Sequence, residues 1–258
     1  MQSIMKTAVI APVGMSPPAV SSFIDGIGEP ISDVVLLVTR DRDVLAGTRF
    51  LDAGLSLRYP WLRIHPVILP FDDVATQDDT LRFMSEATRA FREERDTHQC
   101  DTIYLNITGG RKNMSVVLTL LGQILGADGV FSVVNPDIRY MNELLERYRG
   151  EINRFADIES REEGFALYEE HREEFDRILF PPRTGYEIIR IPTLPFPADH
   201  IGYLIRACLG SGERLAPQDE ALLIRHGVLE KKTGGGSVLT PYGEKFLSIL
   251  LGRQTDRG

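Results

Sequence analysis

Residues 106–114, Asn-Ile-Thr-Gly-Gly-Arg-Lys-Asn-Met, put two glycines and two adjacent cations at one strand-to-helix turn. Gly109 and Gly110 let backbone N–H groups face outward. Arg111 and Lys112 add positive charge at a helix N-terminus, where the dipole is already positive. An anion would neutralise this arrangement. Phosphate suits it, because amides, dipole and cations all act on it together. The alternative is a tight turn carrying solvated cations. The pattern is neither the G-x-G-x-x-G dinucleotide fingerprint nor the G-x-x-x-x-G-K-[ST] P-loop. A second loop, 12–18 (Pro-Val-Gly-Met-Ser-Pro-Pro), offers Gly14 for close backbone approach and Ser16 at a helix start. The plain alternative for Ser16 is a helix N-cap.

Both loops follow strand-like runs, which fixes how they must be held. Short apolar runs at 7–11, 33–39, 64–69, 102–106 and 131–135 alternate with helical patterns at 17–27, 44–57, 79–98 and the stretch after Arg111. Strands alternating with helices of this length predict an α/β fold: a Rossmann-like, mostly parallel sheet with helices on both faces. Pro66 marks the third strand as an edge. In such sheets ligands lie beyond the carboxyl ends of the strands, which is where both loops fall. Thr39 and Arg40 after the second strand, and Asp72 or Asp73 after the third, are further candidates by position alone.

The chain has 258 residues, 43% apolar and 26% charged, with a net charge of −8. Much of that charge is local, since 151–177 holds ten acidic residues against four basic ones. We expect this acidic segment to form helix on a solvated surface, projecting from the sheet domain. Global acidity therefore leaves room for a basic pocket, but it argues against a protein that coats duplex nucleic acid. Two cysteines, Cys100 and Cys208, and no signal peptide point to a reducing, cytoplasmic setting. The apolar run 115–134 is broken by Gly126-Ala-Asp-Gly129 and reads as helix 114–125, a turn and strand 129–134, so no membrane association is expected.

The proline cluster Pro192, Pro195 and Pro197 marks a boundary. The expected division is a nucleotide-binding domain at 1–136, an acidic helical connector with one extra strand at 137–195, and a small winged-helix-like domain at 196–258. That last region shows helix, helix, hairpin, helix, with Thr233-Gly-Gly-Gly-Ser as the hairpin turn. Residues from Gly252 onward are expected to fray.

The loop TGGRKNM, 95 residues after VGMSP, resembles the helix-start and Gly-x-Ser-Pro motifs of CRISPR-associated Rossmann-fold (CARF) sensor domains. The likeness covers residues 5–136. It implies a homodimer that binds a cyclic oligoadenylate, the second messenger of type III CRISPR defence, in a cleft on the two-fold axis. Thr108, Gly109, Gly110, Arg111, Lys112, Asn113 and Met114 would line the ring from one side; Gly14, Met15 and Ser16 would hold it from the other. Stand-alone ring nucleases of this kind cleave the messenger without metal, which would make Lys112 and Ser16 catalytic. Cyclic tetra-adenylate is the leading ligand by the same resemblance, and no cofactor or metal is expected.

Other readings remain open: a CARF–winged-helix transcription regulator, or a non-catalytic sensor. Residues 196–258 hold eight basic and seven acidic residues, and the would-be recognition helix carries Asp219 and Glu220 beside Arg225. That charge does not favour DNA binding. Matches to motifs of fused nucleases, Arg92 with His98 and Glu230-Lys231-Lys232, fall in a sheet-domain helix and in a wing strand and read as chance. The histidines His65, His98, His171, His200 and His226 are scattered. Their spacings with the cysteines support no metal site.

Overall fold

The computed structural model of the chain describes residues 5–136, 138–193, 198–209, 214–232 and 235–252. Six strands, β1 (Thr7–Pro12), β2 (Asp33–Val38), β3 (Arg63–Ile68), β4 (Thr102–Asn106), β5 (Gly129–Val134) and β6 (Glu187–Arg190), form one sheet in the order β3-β2-β1-β4-β5-β6. The first five are parallel and β6 joins β5 antiparallel. This is the Rossmann-like class that the strand–helix alternation predicts. Pro66 lies in β3, an edge strand, where a missing N–H costs no ladder bond.

Every residue of β1 and β2 is buried. Successive side chains point to opposite faces of a sheet, so these strands feed two cores. Val9, Ala11, Val34 and Leu36 join one, beneath α1 (Pro18–Gly26) and α2 (Arg42–Arg58). Ala8, Ile10, Val35 and Leu37 join the other, beneath α3 (Gln77–Arg92) and α4 (Lys112–Leu125). Helix α4 ends on Gly126 at φ 70° before β5. Among the described residues no helix is long and apolar enough to cross a membrane.

The acidic segment is helical, as α5 (Ile138–Arg147), α6 (Arg149–Arg154), α7 (Arg161–Glu170) and α8 (Arg172–Leu179), but it does not project. Ile152, Phe155, Leu167, Tyr168, Phe175, Ile178 and Leu179 are buried in the first core. Phe50 of α2 is the centre of that contact, with ring centroids 4.8 Å from Phe175, 5.5 Å from Phe155 and 5.7 Å from Tyr168. The acids occupy the outer face of helices whose inner face is aromatic. Counting charge alone hides the apolar residues between them.

Beyond Thr193 the order is α9 (Ala198–Cys208), α10 (Pro217–Arg225), the hairpin β7 (Leu229–Lys231) and β8 (Ser237–Leu239), and α11 (Pro241–Leu250). Pro195 and Pro197, the hairpin residues 233–234 and the end from 253 lie outside the described residues. Ile205, Val228, Leu247, Ile249 and Leu250 bury into the second core with Phe83 and Leu118. Arg92 donates to the Leu250 and Leu251 carbonyls, and Lys245 pairs with Asp78. The Arg92–His98 motif is thus accounted for structurally at Arg92. The last turn of that third helix differs from a plain 79–98 helix, because Glu93–Thr97 forms a π-helical turn.

Strand order grows outward from β1 to β3 and then returns to β4 on the other side of β1. Because β4 pairs directly with β1, the loops after these two strands are neighbours at that reversal, the usual place for a ligand in such sheets. They meet backbone to backbone. A Cβ on Gly109 would stand 2.0 Å from the Pro12 carbonyl oxygen, and one on Gly14 would stand 2.7 Å from the Gly110 nitrogen. Gly110 itself has φ 73°, a region that L side chains seldom enter. Gly109→Ala should therefore lower stability by about 1–3 kcal/mol through forced separation of the loops. Gly150→Ala, where an added Cβ meets nothing within 4 Å, should be neutral or stabilising by up to about 1 kcal/mol. Urea unfolding of the two variants checks this, and equal midpoints would contradict the interlock.

Candidate functional site

The two interlocked loops form one wall of a cavity of about 330 Å³ at the carboxyl ends of the strands. Gly14, Met15, Ser16, Thr39, Thr108, Gly109, Gly110, Arg111 and Met114 all line it. Asp72 and Asp73, named by position after β3, line it as well, together with Asp41. Residues from four separate loops thus converge on one place. Arg40, Lys112 and Asn113 do not line this cavity, although all three adjoin residues that do.

Each loop is held by identifiable bonds. Asn106, fully buried at the end of β4, donates from Nδ2 to the Ala19 carbonyl at 2.9 Å. Its Oδ1 accepts from the Thr108 N–H at 3.1 Å and the Thr108 hydroxyl at 2.7 Å. Thr108 Oγ1 in turn accepts from the Val133 N–H at 2.6 Å. Asn106 therefore ties helix α1, the glycine loop and β5 together. The sequence alone assigns this residue no role. Its signal was a polar side chain closing an otherwise apolar strand, which must find buried partners.

Met114 is buried under the loop, and its sulfur accepts from the Arg111 N–H at 3.2 Å. Asn113 Nδ2 donates to the Val74 carbonyl at 2.9 Å, tying the start of α4 to the loop after β3. Arg40 donates its backbone N–H to Phe71 at 2.9 Å and leaves its side chain exposed. Ser16 does not cap α1. The N-cap position is Pro17 and no side chain caps it, whereas the Ser16 carbonyl accepts from Ala19. Proline at both 17 and 18 sets the first turn without a hydroxyl, so Ser16 stays exposed and its Oγ makes no hydrogen bond among the described residues.

Charge in the cavity is mixed. Arg111 meets Asp73 in a two-pronged pair, with Nε and Nη2 each 2.7 Å from a carboxylate oxygen. That partner raises the arginine further above its ordinary pKa, through hydrogen bonding first and charge second. Part of the charge that seemed to require an external anion is thus met from within the chain. Asp41 accepts from the Asp43 and Val44 N–H groups as the cap of α2. By contrast, Lys112 is exposed at the first residue of α4 and makes no ion pair among the described residues. The backbone N–H groups of Gly109, Gly110 and Lys112 also have no protein acceptor there. Unpaired amides, a helix N-terminus and a free ammonium stand together, which is the chemistry that receives phosphate oxygens. None of the five histidines lines the cavity.

Comparison with known proteins follows the same lines. The chain is 28% identical over 162 residues to the CRISPR system ring nuclease SSO2081 of Saccharolobus solfataricus, covering 60% of this chain and 85% of that one. Among solved structures, Enterococcus italicus Csm6 bound to cyclic hexa-2′-fluoro-hexa-dAMP matches with a TM-score of 0.47 at 15% identity. That match covers 96% of this chain, which spans only 54% of the length of Csm6. Can2 from Sulfobacillus thermosulfidooxidans in complex with cyclic tetra-adenylate matches with a TM-score of 0.35 at 12% identity, covering 95% of this chain and 63% of that one. The family of CRISPR-associated protein NE0113 matches residues 17–196, well over half of the 258, and the chain belongs to that family.

Proposed function

We propose that the chain binds a cyclic oligoadenylate between two copies of itself and cleaves it, acting as a ring nuclease. The observation that carries this reading is the joint between the serine loop and the glycine loop. It gathers free amides, the N-terminus of α4 and Lys112 beside a cavity at the strand-order reversal. The relative named as a ring nuclease, aligned over 85% of its own length, supports the same activity.

The cavity is at the small end of the 300–1,000 Å³ range of drug-sized ligands. A ring of four or six nucleotides is larger, so one copy grips part of it and a symmetric partner grips the rest. Exposed apolar side chains adjoin the site where a second copy would meet it. Met15 is 55% exposed, and on α4 Val116 and Leu120, one turn apart, are 58% and 47% exposed. A homodimer would cover them.

Cleavage needs no group beyond those present. A ribose 2′-hydroxyl attacks the adjacent phosphorus and the P–O5′ bond breaks, leaving a 2′,3′-cyclic phosphate on one side. The proton lost by the 2′-hydroxyl is made up at the departing 5′-oxygen through solvent. The protein contributes alignment of the attack and stabilisation of charge growing on the phosphate. Lys112 and the free amides serve the second task. Ser16, with its hydroxyl uncommitted on the facing loop, serves the first. Turnover without a positioned base is slow, which suits an enzyme that clears a signal.

Cyclic tetra-adenylate and cyclic hexa-adenylate, incubated with the chain in EDTA and followed by product separation, test this. Linear products ending in 2′,3′-cyclic phosphate are expected from the tetramer ring; a ring bound but left intact would make the protein a sensor. Lys112→Ala should cut the rate about a hundredfold or more and weaken binding too. Ser16→Ala should slow cleavage about tenfold to a hundredfold with little loss of binding. Equal loss of binding in both variants would remove the positioning role of Ser16. Asp73→Asn should tighten ring binding, because it frees Arg111 and takes a negative charge from the phosphate path. Weaker binding in that variant would show that Arg111 must be held by Asp73 to meet the ring.

A further inference from the structure

The amino ends of the strands, roughly 20 Å of strand length from the cavity, collect a different set of groups. Asp33 opens β2 and is fully buried; Glu94 and Cys100 are each 2% exposed. His65 of β3 and His98 sit half-buried beside them, with ring centroids 5.4 Å apart and planes 26° from parallel. One donor atom from each of His65, Glu94 and His98 lies within 4.8 Å of the other two. The same holds for Asp33, Glu94 and Cys100, so Glu94 belongs to both groups.

These groups are poorly satisfied by one another. His65 Nε2 is buried without a hydrogen-bond partner, and the nearby Asp33 Oδ1 is 3.5 Å away. Asp33 Oδ1 lies 2.7 Å from Arg63 Nη2 yet forms no well-directed bond, because Arg63 aims at Oδ2. Among the described residues the Glu94 carboxylate receives only the weak S–H of Cys100, at 3.3 Å. Two carboxylates buried side by side call for compensating positive charge, and among the described residues Arg63 pairs with only one of them, Asp33.

The backbone is distorted to bring them together. A π-helical turn at Glu93–Thr97 carries Glu94 inward, and such turns cluster at functional positions. Gln99 adopts φ 55°, unusual for a residue other than glycine, between His98 and Cys100. Both departures fall within the eight residues 93–100, which supply Glu94, His98 and Cys100. Backbone strain is kept where something rewards it.

We propose that His65, Glu94 and His98 bind one zinc-type divalent transition-metal ion, with Cys100, which meets Glu94 in the second group, drawn in as the fourth ligand and Asp33 as the adjoining carboxylate. Two imidazoles and a thiol select zinc or its neighbours over magnesium and calcium. Donor atoms of a tetrahedral zinc site lie roughly 3.5 Å apart, so His65, Glu94 and His98 need to close in by about an ångström, and Cys100 must swing in from beside Glu94. On binding, the Cys100 proton passes to solvent and the thiolate takes its place on the ion. The half-exposed rings of His65 and His98 provide the way in. The ion would pin β2, β3 and the entry to β4 at the end of the sheet away from the ring-binding loops, a structural role independent of the proposed cleavage.

Zinc added to the full-length chain, stripped with EDTA and exchanged into chelator-free buffer, should bind at one ion per chain and raise the thermal midpoint. Cobalt in its place should give tetrahedral d–d bands and a thiolate charge-transfer band. His98→Ala and Cys100→Ser should each weaken zinc binding by about tenfold or more, and Cys100→Ser should abolish the charge-transfer band. His171→Ala, far along the connector, should leave all of these unchanged. No stoichiometric uptake by the wild-type chain, or uptake unaltered in both ligand variants, would overturn the site. The wild-type cobalt spectrum decides the matter even if a variant fails to fold.

Discussion

The contact on which the site depends is the backbone-to-backbone meeting of the loops after β1 and β4. Strands β1 and β4 are parallel neighbours, and the strand order reverses between them, which is where ligands bind in such sheets. Adjacency alone would leave two loops separated by side chains. Glycine at 14 and 109 removes that spacing, because a single Cβ at 109 would overlap the Pro12 carbonyl. Asn106 then locks the joint to α1 and, through Thr108, to β5. The fold thus holds the wall of the cavity as one rigid piece before any ligand arrives, which is the condition for positioning to contribute to catalysis.

Electrostatics in the cavity is a balance rather than a basic patch. Three aspartates line it with Arg111, and Arg111 is held by Asp73. Among the described residues, what remains uncommitted is the amides at Gly109 and Gly110, the start of α4, and Lys112, the groups proposed to receive the phosphates. An exposed ion pair such as Arg111–Asp73 is worth little in itself. The phosphate of the proposed ligand would therefore compete for the arginine at small cost.

Much of this was legible in the sequence for physical reasons. Glycines at strand-to-helix turns announce close approach, and an apolar run without alternation announces a strand buried on both faces, as β2 is. Arg111–Asp73 was legible only as two positions at loop ends, since pairing across 38 residues has no local signature. The connector was misread as projecting because ten acids outweigh the spaced aromatics Phe155, Tyr168 and Phe175 in any count of charge. Ser16 was read as a possible cap because serine commonly is one, whereas consecutive prolines start α1 without it. The grouping of His65, Glu94 and His98 is invisible to ligand spacing, because β3 supplies one member while the π-helical turn and the residue after it supply the other two.

The central claim is that half of a symmetric ring site resides in each chain. Calorimetric titration of the full-length protein with a cyclic tetra-adenylate lacking 2′-hydroxyl groups, which cannot be cut, tests it most directly. The account predicts saturation at one ring per two chains. Saturation at one ring per chain would contradict the shared site, and the absence of binding to this ring or to its hexa-adenylate counterpart would contradict the account as a whole.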